Sequence, residues 1–269
     1  MLREAPTVAE LRAACQPAAM MARRSGEHWA GLLYMRRLSP YATCAFVRLR
    51  AAPNQLTGLM IVCGVAGGIV VGLGGLAAAV GGALLIQAYL LLDCSDGELA
   101  RWTGRTSVTG VYLDRVGHYV TEAALLIGLG VRAQAGGLTG GWVVIGLAAA
   151  VGAILIKAET DLVDVARVRS GKPAATEAAA SPRNRGLGLA RRAAGALRFH
   201  RIIQAIELSL LVLAAAIYDT VTGGLLATRV LAAACAVVAA IQLVLHLVSV
   251  LASRRLDANG AGSARERGE

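Results

Sequence analysis

Long apolar runs separated by short polar connections dominate this chain. Six runs are long enough, or nearly so, to cross about 30 Å of hydrocarbon as helices. They lie near residues 55–73, 76–93, 110–130, 141–159, 202–221 and 228–251. None has a clean amphipathic period, as expected of helices that are apolar all round. Only the glycine-rich stretch from Gly72 to Leu76 separates the first two, which predicts a tight hairpin. Ahead of these runs, residues 28–50 mix Trp29, Leu32, Leu33, Tyr41, Phe46 and Leu49 with Arg36, Arg37, Arg48 and Arg50. That pattern suits an amphipathic segment lying in the headgroup layer, and Pro40 is expected to break it into two helices. Residues 171–188 read as a mobile loop, and the tail after Asp257 as disordered. The expected fold class is all-α: a polytopic membrane protein with six transmembrane helices and an N-terminal interfacial amphipathic helix. Residues 1–52 would form the N-terminal segment, 53–253 the transmembrane domain and 254–269 the tail.

Composition agrees. Hydrophobic residues make up 56% of the chain and the mean hydropathy is +0.60, which excludes an ordinary soluble domain. Aromatics are only 4%, so the apolar mass is small and aliphatic and suits close helix contact in lipid. Glycine- and alanine-rich faces such as Gly64 to Gly75 make a homodimer plausible. The net charge of +10 would suggest nucleic acid on a soluble protein. Here the arginines lie between apolar runs, so no nucleic acid is expected and anionic lipid headgroups and substrate phosphates are the partners. Basic residues cluster before the first run, between the second and third, between the fourth and fifth, and after the sixth. The positive-inside rule then puts both termini in the cytoplasm of a multi-pass cell-membrane protein. The five scattered cysteines show no metal or disulfide spacing. The start, with Glu4, Glu10 and several arginines, does not read as a signal peptide.

The candidate chemistry lies between Asp93 and His118. Asp93 and Asp96 share a helix face, as do Asp114 and His118 on the next helix. Carboxylates at the end of an apolar helix are costly unless paired or bound to a cation. The short turn between the helices is expected to set them side by side and antiparallel, so that three carboxylates and an imidazole converge at the cytoplasmic ends. Hard oxygen ligands on rigid helices suit Mg²⁺ or Mn²⁺, one ion or two. Gly97 and Gly110 would let a nucleotide approach the backbone, Ala100 extends that small face, and Arg101 can pair with a phosphate.

The stretch Asp93-Cys94-Ser95-Asp96-Gly97-Glu98-Leu99-Ala100-Arg101, followed by Gly110, Asp114 and His118, resembles the signature of the CDP-alcohol phosphatidyltransferase family, D-x-x-D-G-x-x-A-R-x8-G-x3-D-x3-D. Only the last position departs, with His118 in place of Asp. Pro53-Asn54-Gln55-Leu56-Thr57 resembles the family's P-N-x-L-T entry. The resemblance implies a CDP-linked lipid as donor and an alcohol as acceptor, with CMP released in phospholipid biosynthesis. It implies metal binding by Asp93, Asp96 and Asp114, cytidine contact by Gly97, Ala100 and Gly110, and diphosphate contact by Arg101. The last acidic position is the family's proposed general base and can touch a second metal.

His118 leaves three readings open: a general base, a nitrogen ligand that moves the metal preference toward Mn²⁺, or the mark of a decayed enzyme that binds CDP-lipid as a sensor or assembly partner. Other residues carry paired expectations. Asn54 and Thr57 either cap a helix or bind substrate. Lys157, Arg198, His200 and Arg201 either form a pocket for a phosphorylated acceptor or anchor the chain at the membrane surface. The three aspartates could instead pair with Arg101, Arg105 and Arg115. Glu98 is expected to be solvated or paired with Arg101, and Asp161 and its neighbours to pair locally with Lys157, Arg167 and Arg169. His28 reads as interfacial and His246 as packed or capped within the membrane.

Overall fold

The computed structural model of the protein describes residues 6–16, 31–135, 137–173, 203–252 and 256. The expected loop beyond residue 173, the tail from 257 on, Trp29, His28, Arg198, His200 and Arg201 lie outside the described residues. Regular structure among the described residues is helical. The short helix α1 (Val8–Cys15) starts on a capping box, with Thr7 Oγ1 accepting from the Glu10 amide and the Thr7 amide donating to the Glu10 carboxylate at 2.8 Å. Those bonds hold the Glu10 carboxyl below its ordinary range. A π-helical turn (Gly31–Met35) runs into α2 (Arg36–Arg48). Pro40 does not break this segment, contrary to expectation, but sits inside α2. Its ring would strike the carbonyl of residue 36, and the wide turn just upstream makes room there.

Six longer helices follow: α3 (Pro53–Gly72), α4 (Gly75–Thr103), α5 (Val108–Ala133), α6 (Gly141–Arg169), α7 (Ala205–Thr222) and α8 (Leu226–Ala252). Gly74 and Gly75, at φ 79° and 73°, make the expected hairpin turn in a region that side-chain-bearing residues rarely adopt. All of these helices but α5 are long and apolar enough to cross a membrane. Exposed aliphatic side chains such as Val62, Ile69, Leu84, Val151 and Val237 face outward on them. The chain is therefore a multi-pass membrane protein. Helix α5 fills the place of the third expected span, but Asp114, Arg115, His118, Glu122 and Arg132 make it too polar to qualify on composition. Its neighbours α3, α6 and α8 cover much of it, the setting in which polar residues are tolerated within a bundle.

The sequence predicts α4 and α5 side by side. They instead diverge from their connecting turn, and both pack on α3. Glycines on two faces of α3 explain this. Gly64, Gly68 and Gly72 meet Thr121, Ala124 and Gly128 of α5, while Gly67 meets Ile86 and Gly82 of α4. A Cβ on Gly68 would run into the α5 backbone at Ala124, and one on Gly128 into the Gly68 carbonyl. The glycine face expected to serve a homodimer is thus used within the chain. Helix α7 packs on α4, α8 packs on α6 and α7, and α1 and α2 lie against α4. Met60, Ile86, Leu125, Leu129, Leu208 and Val212 are among the residues of the shared core.

Candidate active site

The divergence of α4 and α5 opens a cleft backed by α3, and side chains rather than backbones bridge it. Asp93 from α4 and Asp114 and His118 from α5 each bring one ligand atom within 4.8 Å of the others. His118 Nε2 lies 3.3 Å from Asp93 Oδ1 and 3.5 Å from Asp114 Oδ1. Two carboxylate oxygens and an imidazole nitrogen so spaced fit a single divalent ion. The side chains are partly open, at 23% for Asp93, 28% for His118 and 39% for Asp114, so a substrate can reach them.

Asp96 does not join this group among the described residues. It is 8% exposed and accepts a hydrogen bond from the Thr57 hydroxyl at 2.6 Å. Thr57 lies in the first turns of α3, which Pro53 opens and Ala52 precedes as cap. The Gln55 side chain, rather than Asn54 or Thr57, accepts from the Ala52 amide at 2.9 Å. The capping reading for Asn54 and Thr57 therefore fails. Asn54 instead stands beside Gly110: a Cβ there would meet Asn54 Oδ1 at 3.0 Å. The two sequence motifs thus meet at both Asn54–Gly110 and Thr57–Asp96. Arg101 folds back over Gly97, where a Cβ would lie 3.2 Å from its guanidinium, and Ala100 is half-buried next to it.

Several expected pairings differ. Glu98 is wholly buried and accepts from Ser39 at 2.6 Å, Thr43 at 2.8 Å and Gln16 at 2.8 Å, with Arg36 at 3.7 Å. It is solvated by side chains of the N-terminal segment rather than by water, because α1 and α2 cover the end of α4. Asp161 pairs with Arg115 at 2.6 Å and Tyr119 at 2.9 Å on α5, not with its own helix. This takes Arg115 away from the aspartate cluster. Lys157 pairs with Glu122 at 3.2 Å. His246 meets the Thr160 hydroxyl at 3.0 Å in an exposed contact between α8 and α6.

Two residues of the cleft escaped the sequence reading. Tyr89 precedes Asp93 by one helical turn, and its hydroxyl meets His118 Nδ1. Glu122 follows His118 by one turn. A spacing of four extended the polar face of each helix one turn deeper into an apolar run, and that was the available signal.

The model of the CDP-alcohol phosphatidyltransferase family matches residues 50–182, a stretch that contains α3 to α6 and the whole cleft just described. No curated protein gives a match to the chain. The signature and the helical membrane architecture agree with that match, and residues 50–182 belong to the CDP-alcohol phosphatidyltransferase family.

Proposed function

We propose that this protein transfers a phosphatidyl-type group from a CDP-linked lipid, of the CDP-diacylglycerol kind, to an alcohol and releases CMP in membrane phospholipid biosynthesis. The observation that carries this reading is the convergence of Asp93, Asp114 and His118 across the α4–α5 cleft. A divalent cation held there, Mg²⁺ or Mn²⁺, would neutralise the diphosphate and stabilise the departing phosphate. Asp96, held by the Thr57 hydroxyl, is the candidate ligand for a second ion. Gly97, Ala100 and Gly110 leave room for the cytidine, with Asn54 beside Gly110 as a polar contact. Arg101 supplies a guanidinium for the diphosphate.

In the transfer, the acceptor oxygen bonds to the lipid-side phosphorus. The bond from that phosphorus to the bridging oxygen breaks, and CMP leaves with the electron pair. The hydroxyl proton passes to Asp114, the most exposed of the three convergent residues. His118 is less suited to that task, because both its nitrogens already face protein groups. Lys157, which pairs with Glu122, and Arg198 and Arg201 are the cationic candidates for contact with a phosphorylated acceptor. The positive charge of the connections supports an orientation in the cell membrane with both termini and the metal site toward the cytoplasm.

The test is CMP release from labelled CDP-diacylglycerol by purified protein with a panel of acceptor alcohols. Release that requires Mg²⁺ or Mn²⁺ and vanishes in Asp114→Asn is the expected result. Cytidine-nucleotide binding without turnover under every acceptor would instead favour a non-catalytic CDP-lipid sensor.

A further inference from the structure

Tyr89 is 2% exposed, and its hydroxyl meets His118 Nδ1 at 2.5 Å. The two rings meet edge to face, with centroids 5.8 Å apart and planes at 86°. Phenol and imidazole come from different helices, so this contact fixes the rotation of the His118 ring across the cleft. With Nδ1 taken, Nε2 is the nitrogen left for the site. It points between Asp93 Oδ1 at 3.3 Å and Asp114 Oδ1 at 3.5 Å. A base would aim its lone pair at an incoming hydroxyl. This ring aims it at the place where two carboxylates meet, which is the arrangement of a ligand. Metal-bound histidines nearly always donate the other ring N–H to an oxygen, and the Tyr89 hydroxyl oxygen is there to accept it.

We infer that Tyr89 is a positioning residue that holds His118 as a nitrogen ligand of the divalent ion, so that this site is a mixed nitrogen–oxygen one. The inference rests on the metal site proposed above and deepens it. Mg²⁺ favours oxygen donors, whereas imidazole suits first-row transition ions, so the nitrogen shifts the preference toward an ion such as Mn²⁺. The proton-accepting role then stays with Asp114.

Pulsed electron paramagnetic resonance on the full-length protein loaded with Mn²⁺ tests this. The wild type should show modulation from a directly bound ¹⁴N. His118→Asp should still bind Mn²⁺ but lose that modulation, and Mg²⁺ should displace its Mn²⁺ at concentrations about tenfold lower. Tyr89→Phe, which leaves the ring free to turn, should weaken Mn²⁺ binding by about 10- to 100-fold. Bound Mn²⁺ with no nitrogen coupling in the wild type would overturn the inference, as would unchanged affinity and coupling in Tyr89→Phe. Should Tyr89→Phe fail to fold, the comparison of wild type with His118→Asp decides alone. Metal-dependent CMP release without nitrogen coupling sinks this inference only. Mn²⁺ binding that is absent, or indifferent to Asp93→Asn, sinks the metal site and this inference with it.

Discussion

Asp96 and Glu98 lie two residues apart on α4 and depend on different partners. Thr57 holds Asp96 from the start of α3, and Ser39, Thr43, Gln16 and Arg36 enclose Glu98 from the N-terminal segment. Replacing Thr57 by Val keeps the shape and removes the hydroxyl, so metal-dependent CMP release should fall about 10- to 100-fold, whereas Thr57→Ser should retain most of it. Glu98→Ala removes the buried carboxylate that Ser39, Thr43 and Gln16 donate to and should cost about 3 kcal/mol of stability. Thermal unfolding in detergent measures that, and an unchanged midpoint would count against the latch. The signature residues themselves were legible from their spacing. Glu98 was not, because it occupies an unspecified position of the motif and its partners come from helices distant in sequence.

Among the elements, the apolar runs announced all six long helices, and Gly72 to Leu76 announced the hairpin. What they could not announce was which helices touch. A short connection made α4 and α5 look like neighbours, but the backbone goes where side chains are smallest, and α3 carries glycines on both flanks. Helix α1 went unread because it is short and its buried residues, Leu11 and Cys15, form too sparse a pattern to stand out. The same glycines make a prediction. Gly68→Val should push α5 off α3, destabilise the protein by about 2 kcal/mol or more and separate Asp114 from Asp93. Lower thermal stability together with weaker Mn²⁺ binding is the expected pair of readouts. A stable variant with normal metal affinity would show that α3 does not set the cleft.

On the scale of the whole molecule, the charge pattern sets an orientation that cysteine labelling can check. In a background without the native cysteines, Thr106→Cys in the α4–α5 turn should react only after the cytoplasmic side is opened, and Leu138→Cys in the α5–α6 connection should react from outside. Both positions are exposed. The reverse labelling would invert the topology and put the cleft on the wrong face for a cytidine nucleotide. Orientation aside, the proposed chemistry depends on one divalent ion joining α4 to α5. Anomalous scattering from crystals of the Mn²⁺-loaded protein tests it most directly. A peak is expected about 2.2 Å from oxygens of Asp93 and Asp114 and from His118 Nε2. A well-ordered Mn²⁺ bound elsewhere, or a cleft that stays vacant at saturating Mn²⁺, would contradict it.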